Sequence, residues 1–162
     1  MNGSSSPPGP PSDLAAVAPR HPRLQALLAF WEAEGRAAGG LPARRRFSFE
    51  AMRPWLGHLA VIAVERPALR FRATLVGTMI VEYDGRDNTG RYLDEAISAP
   101  NRPAALARYV RVAETGRWLA DVAQIVAPDT TVAPLHRLLL PCAQDGRTVD
   151  AVLAAIYRES PP

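Results

Sequence analysis

A cysteine, a histidine and an aspartate near the C-terminal end of the chain are the residue types of a nucleophilic catalyst. Cys142 is the only cysteine, and His136 and Asp145 lie within six residues of it. In such a catalyst the thiolate attacks the substrate and the imidazole takes the proton. Pro141 lies between the histidine and the cysteine, however, and no glycine-framed nucleophile turn surrounds the thiol. We therefore interpret Cys142 as a small buried thiol, and we expect no catalytic residue here.

The chain has three histidines, which are His21, His58 and His136. His21 precedes the first predicted helix, His58 begins the first predicted strand, and His136 lies in the fourth. Neither these positions nor a single cysteine has the spacing of a zinc motif. The sequence predicts helix-end or surface histidines and no metal site.

The acidic turn Asp84-Gly85-Arg86-Asp87-Asn88 carries oxygen atoms of the kind that calcium binds. It lacks the bidentate glutamate that closes a calcium loop, so calcium binding is not predicted. Asp87 and Asn88 are predicted to bond nearby backbone amides, and Thr89 to cap the next short helix. Arg86 is placed to pair with a carboxylate.

Positive charge is spread along the chain, which has 19 basic residues and a net charge of +3. All of the basic residues are arginines, and Arg44-Arg45-Arg46 is their only run. A nucleic-acid-binding domain usually collects its positive charge on one face, and its binding weakens steeply with salt. We expect no nucleic-acid partner, with a short solvated loop as the ordinary explanation of the arginine run.

Two helical patterns precede the first strand. After Pro22, four apolar residues recur at the spacing of one helix face, and Gly39-Gly40 ends that helix; they are Leu24, Leu27, Leu28 and Trp31. Ser48 is predicted to cap a second, short helix that carries three large apolar residues on one side, namely Phe49, Met52 and Trp55.

Five stretches have the composition of strands. The first, 59–64, and the last, 151–156, are apolar without a break, and such strands need cover on both faces. The stretches 71–76, 118–126 and 135–140 are more polar and fit flanking or edge positions. A helix is predicted from about Pro103 to Thr115. Short helices on one face of the sheet and the N-terminal helix on the other give an α+β fold.

The stretch Phe71 to Asp94 resembles the short single-domain bacterial PAS proteins. It has a strand ending in Leu-Val-Gly-Thr, a short helix, and then Gly-Arg-Asp-x-Thr-Gly-Arg. Leu-Pro and a Pro/Trp/Leu-containing helix at 41–58, and the late Leu140-Pro141 with Asp145-Gly146, fall where that family has them. The resemblance covers about 24–157, and Asn88 stands where the family more often has an apolar residue. The residues that carry the structural motif are Gly77, Gly85, Arg86, Asp87 and Gly90.

The resemblance implies a five-stranded antiparallel sheet in the order 2-1-5-4-3, which agrees with the central positions argued from the apolar strands. We expect a disordered tail at 1–19, a helical segment at 20–58 and a PAS-like domain at 59–158. The helical face of the sheet is predicted to enclose a pocket, unless the same side chains fill it as ordinary core. The pocket candidates are Phe71, Met79, Tyr83, Arg86, Tyr92, Tyr109, Trp118 and Gln124.

The preferred function is a non-enzymatic sensory or regulatory module that acts through protein contacts, with a small-molecule ligand as an option. No kinase, cyclase or DNA-binding segment follows Tyr157 in this sequence, so output is expected to pass to a signalling protein partner. Leu24, Leu28 and Trp31 are candidates for the contact of a homodimer. The alternative is a small enzyme that uses acid/base chemistry in the cavity, with Asp121 or His136 as base.

Haem and flavin are both disfavoured by this sequence. Haem-type PAS sensors present a histidine from the long helix, and 103–115 contains none. Flavin-type light sensors need a reactive cysteine on a short helix beside the ring, and Cys142 lies elsewhere.

No stretch approaches the roughly 18 apolar residues of a membrane span, and the first twenty residues do not have the pattern of a signal peptide. We expect no membrane partner and a cytoplasmic location.

Overall fold

Five antiparallel strands form one sheet in the order β2-β1-β5-β4-β3. The computed structural model describes residues 17–126 and 132–159, so most of the predicted tail, 1–19, lies outside the described residues. The central position of the two most apolar strands and the strand order are confirmed. The strands are β1 (Leu59–Glu65), β2 (Arg70–Val76), β3 (Leu119–Val126), β4 (Val132–Cys142) and β5 (Ala151–Arg158).

The helices are α1 (Pro22–Ala38), α2 (Thr78–Asp84), α3 (Leu93–Ala96) and α4 (Arg102–Thr115), with single 3-10 turns at Arg44–Arg46 and Arg53–Trp55. The first helix begins at the signal that the sequence indicated, since Pro22 occupies its first turn and His21 is its N-cap. Within the described residues, no helix is long and apolar enough to cross a membrane.

One face of the sheet, here called the α1 face, is covered by α1 and the two 3-10 turns. The apolar stripe of α1 is buried there, against side chains of β1, β4 and β5 such as Leu138 and Leu153. Trp31 adds a directed contact, because its indole Nε1 donates to the carbonyl oxygen of Pro141 at 2.9 Å. The predicted cover of this face by the N-terminal helix is confirmed.

Replacing Trp31 with phenylalanine should lower the free energy of unfolding by about 1.5 kcal/mol, because the carbonyl of Pro141 then stays buried without its donor. Urea denaturation followed by circular dichroism measures this loss. Trp55 also donates, from Nε1 to the carbonyl oxygen of Arg23 at 2.7 Å, but that bond is only partly buried, so Trp55→Phe should cost less. An equal loss in both variants would contradict the argument from burial.

The opposite face, here called the α4 face, packs against α2, α3 and α4. Strand residues alternate between the two faces, so Ala60, Ile62 and Val64 of β1 point to this side while Leu59 and Val61 point to the other. The long helix α4 contributes its buried residues to this second layer; they are Tyr109, Val112 and Ala113.

The outer edge of β2 is closed by the segment that precedes α3. The N–H of Ala73 donates to the carbonyl of Arg91 at 2.9 Å, and the N–H of Gly90 donates to the carbonyl of Ala73 at 2.7 Å. Arg72 and Tyr92 form a further bridge beside them. The edge of β3, at the other end of the sheet, has no paired strand within the described residues.

Two local predictions differ from the structure. Phe49 was expected on the buried side of the second short helix with Met52 and Trp55, but its side chain is exposed while the other two are buried. Thr89 does not cap α3, because its hydroxyl and its amide both donate to Asp87 instead. The N-cap of α3 is Tyr92, which makes no side-chain capping bond.

Candidate functional site

The motif around Gly77 is a place where two backbone segments touch. A Cβ atom on Gly77 would lie 2.3 Å from the carbonyl oxygen of Gly57. The N–H of Gly77 donates to the carbonyl of Leu59 at 2.7 Å, and that of Met79 donates to the carbonyl of Gly57 at 2.9 Å. The φ of Gly77 is −69°, which any residue adopts. This glycine is therefore needed for close approach, not for an unusual backbone angle.

In the turn that follows α2, Asp87 makes the kind of hydrogen bond that the sequence predicts, but Arg86 does not make the predicted ion pair. Asp87 accepts two hydrogen bonds from Thr89, and these bonds lower the pKa of its carboxyl. Gly85 ends α2 with a φ of 72°, in the left-handed region that favours glycine. Arg86 is exposed and makes no ion pair with any residue in the described ranges.

Of the predicted pocket residues, the structure brings Phe71 and Tyr109 together. Their rings are 5.6 Å apart on the α4 face, and both are buried. Burial raises the pKa of Tyr109 to about 12, so its hydroxyl stays protonated. These two side chains belong to the packed layer between β2 and α4. For them the structure has ordinary core, which was the stated alternative to a pocket.

The other pocket candidates lie elsewhere. Met79 packs beside the crossing of Gly57 and Gly77. The Tyr83 hydroxyl accepts from the backbone of Arg158 at 3.4 Å. Tyr92 stays at the β2 edge, where it donates to Glu65 at 2.8 Å beneath the guanidinium of Arg70. Gln124 is exposed, and Trp118 packs on the α1 face, opposite the predicted pocket.

A cleft of about 290 Å³ lies along β3 at the border between the two faces. Trp118 and Leu24 form an apolar wall from the α1 side, while Asp121 and Arg137 come from the α4 side. The volume suits a small organic molecule, near the lower end of ligand pockets. The sequence did not indicate this cleft, because it depends on which residues of β3 face each side.

Asp121 is held between two arginines. Both of its carboxylate oxygens accept from Arg137 on the neighbouring strand, at 2.8 and 3.0 Å, and Arg108 of α4 forms a second ion pair with it. With both oxygens bonded to guanidinium groups, Asp121 ties α4 to the sheet. Its carboxylate is thus engaged by two ion pairs within the domain.

The predicted nucleophile set is not assembled. Cys142 is fully buried, and burial raises the pKa of its thiol to about 12, so it stays protonated and unreactive. Asp145 accepts from the backbone amides of Arg147 and Thr148. His136 bonds through Nε2 to Glu159 at 2.6 Å. The three residues thus have separate partners.

The three histidines come together around one tyrosine. The ring of Tyr157 lies between those of His58, at 3.9 Å, and His21, at 4.4 Å, and both contacts are stacked. His136 lies beside His21 with ring centroids 5.6 Å apart. We call His21, His58, His136 and Tyr157 the histidine cluster. No set of three metal-ligating side chains occurs in the part of the chain that the structure describes.

The predicted dimer residues are used within the chain itself. Leu24, Leu28 and Trp31 are buried against the sheet of their own subunit. They are therefore not available to a second copy while α1 is docked. Surface valines that the sequence analysis did not single out are exposed instead, Val122 on β3 and Val132 on β4.

Solved structures of similar fold include light-oxygen-voltage domains. One, studied with a flavin analogue, is 14% identical, has a TM-score of 0.51, and matches 68% of this chain and 83% of its own. A variant of RsLOV is 15% identical with a TM-score of 0.50, over 70% and 68% of the two chains. The LOV protein of Rhodobacter sphaeroides is 14% identical with a TM-score of 0.48, over 62% and 57%.

Identities at this level show the fold alone. The prediction that flavin is disfavoured is nevertheless wrong, because the structures that share this fold include light-oxygen-voltage domains, one of them studied with a flavin analogue. That prediction used the position of one cysteine, which does not test the fold.

A comparison with curated proteins found no match. The model of the PAS domain family matches residues 19–157, which is most of the chain and includes α1, the Gly77 motif and all five strands except the last residue of β5. The resemblance read from the sequence is thereby confirmed, and the chain belongs to the PAS domain family.

Proposed function

We propose that this PAS domain is a non-enzymatic regulatory module that acts through protein–protein contacts and pairs with a second copy of itself. The observation that carries the proposal is the exposed apolar surface on β3 and β4. Val122 and Val132 are 46% and 61% exposed. By strand alternation they share the α1 face with Trp118 and Leu138, but α1 does not cover them. The two valines are four positions apart in the β3–β4 pairing, and Val122 lies on an edge strand that has no further partner among the described residues, which favours a protein contact there.

The contacts of the two candidate bases support a non-enzymatic role. Asp121 is bonded to two arginines, and the Nε2 atom of His136 is bonded to Glu159. A general base needs a free lone pair within reach of the substrate. The carboxylate of Asp121 is engaged by two guanidinium groups, and the unpartnered nitrogen of His136, Nδ1, is buried out of reach of a substrate.

A small-molecule ligand is a further part of the proposal. The cleft along β3 has room for one, and its lining joins residues of the α1 face to residues of the α4 face. A molecule bound there would touch both layers of the domain. Native mass spectrometry of the purified chain, compared with its denatured mass, detects such a ligand and reports the number of chains in the same spectrum.

Replacing Val122 with aspartate should weaken self-association by at least about tenfold, since the interface would then have to bury a carboxylate without a partner. Sedimentation velocity over a concentration series measures the effect. Leu75→Asp is the matched control, because Leu75 is 45% exposed but lies on β2, near the other end of the sheet. A monomeric wild-type chain, or equal weakening in both variants, would contradict the proposed surface.

A further inference from the structure

The histidine cluster lies where the start of α1 meets the sheet. It contains all three histidines of the sequence, one each from the N-cap of α1, the residue before β1, and β4. Tyr157 of β5 holds the imidazoles of His21 and His58 on its two sides. The N-terminal end of α1 is therefore attached to the sheet partly through groups of the kind that change charge between about pH 5 and 8.

His21 caps α1 in a way that requires its neutral form. Its Nδ1 atom accepts the N–H of Arg23 at 3.2 Å. An imidazole nitrogen that has gained a proton no longer accepts a hydrogen bond, so protonation at Nδ1 removes the cap. A positive charge is also unfavourable at the N-terminus of a helix. The first turn of α1 has no acidic residue to offset it.

The groups around His21 mostly oppose a positive charge on it. Burial is the largest cause that lowers the pKa of His21, followed by the neighbouring His136, while His58 and Arg23 act in the same direction. Glu159, which follows β5, is the one neighbour that raises it. Tyr157 contributes a stacked ring, and Tyr83 of α2 approaches the cluster from the side of His58.

Two polar atoms inside the docked cluster lack hydrogen-bond partners. His136 Nδ1 and the Tyr157 hydroxyl are buried and have no hydrogen-bond partner among the described residues. The carbonyl oxygen of Ile156, the nearby backbone acceptor, is already bonded to His58 Nδ1 at 2.9 Å. A proton on His21 removes the cap of α1 and places a charge in a partly buried site, so the docked arrangement disfavours it, whereas a helix start that has moved away into water accepts it.

We infer that the histidine cluster is a proton-operated contact that holds the start of α1 on the sheet at neutral pH and releases it in mild acid. This inference names a stimulus for the proposed regulatory function, but its mechanism does not depend on self-association. The sign follows from the docked state favouring neutral His21. A free imidazole has a pKa of about 6.5, so the released helix binds the proton first, and docking weakens as the pH falls through that value.

Hydrogen exchange of the full chain at pH 7.5 and 5.5, corrected for the intrinsic effect of pH, tests the inference. Peptides covering 22–31 should exchange up to about tenfold faster at pH 5.5, the limit set by protonation of a free imidazole about one pH unit below its pKa. Peptides covering 151–157 should keep their protection, which distinguishes release of the helix from global unfolding. Equal protection of 22–31 at the two pH values would overturn the inference.

His21→Asn separates the imidazole from its capping role, since asparagine is a good N-cap and does not titrate. In this variant the faster exchange at pH 5.5 should disappear. Asp84→Asn is the control for carboxyl titration, because burial raises the pKa of Asp84 and it lies outside the cluster; this variant should respond as the wild type does. A response that survives in His21→Asn overturns the inference. A dimer with a pH-insensitive α1 would leave the proposed function standing without it.

Discussion

Replacing Gly77 with alanine is expected to lower the free energy of unfolding by about 3 kcal/mol, at the upper end of the usual cost of overpacking. The new Cβ would lie 2.3 Å from the carbonyl oxygen of Gly57 and 2.5 Å from its carbonyl carbon. Both are backbone atoms and cannot rotate away. Relief requires the start of α2 to move from the start of β1, which breaks the bonds from Gly77 to Leu59 and from Met79 to Gly57.

Urea denaturation followed by tryptophan fluorescence measures this loss, and Gly85→Ala is the comparison. Gly85 has a φ of 72°, and a Cβ there would meet no atom within 4 Å. Alanine at that position carries only the cost of a left-handed backbone, about 1 to 2 kcal/mol. Equal losses in the two variants would mean that close approach is not the reason for Gly77.

Asp121→Ala is expected to lower the free energy of unfolding by about 2 kcal/mol, because it leaves Arg137 and Arg108 close together without their shared carboxylate. Removing one member of a fully buried ion pair costs about 3 to 5 kcal/mol. The side chains of Asp121 and Arg137 are 19% and 14% exposed, so residual solvation of the arginines reduces the cost.

A double-mutant cycle with Arg137→Leu isolates this interaction. Once Arg137 is absent, removing Asp121 should cost less than in the wild type, because one of the two unpaired charges is gone. Denaturation curves of the wild type, the two single variants and the double variant give the coupling energy. If the losses of the two single variants add up to that of the double variant, the two hydrogen bonds between Arg137 and Asp121 contribute nothing beyond the separate side chains.

The arrangement of the sheet followed from composition because a strand with two covered faces must be apolar throughout. The unbroken apolar runs of β1 and β5 therefore indicated the middle of the sheet, where the structure has them. The spacing of Leu24, Leu27 and Trp31 likewise indicated a helix with one buried face. Both patterns reflect burial, and burial affects the residue type at each position of a sequence separately.

Contacts between distant segments were not predictable in the same way. The sequence assigns Gly77 to the structural motif, but its role depends on Gly57, which belongs to another segment of the chain. Trp118 was placed in the pocket because its size suits a lining residue. Which face it meets depends on the register of β3, and Leu119 rather than Trp118 points to the α4 face.

The predicted strand order already implied that the residues of the histidine cluster are close together. With β5 between β1 and β4, the residue before β1, the end of β5 and the middle of β4 become neighbours. Tyr157 and His136 are direct cross-strand partners. The sequence positions of the three histidines exclude the spacing of a metal motif, but single positions do not show that three imidazoles share one tyrosine.

The unequal edges of the sheet set a limit on how chains can add to one another. The β2 edge is occupied by the backbone of Gly90 and Arg91, so it has little capacity to accept a foreign strand. If two chains join through β3, the combined sheet ends in a closed β2 at each side. Backbone pairing at β3 would then produce a twofold pair, and at the outer edges Ala73 has no free backbone group with which to extend it.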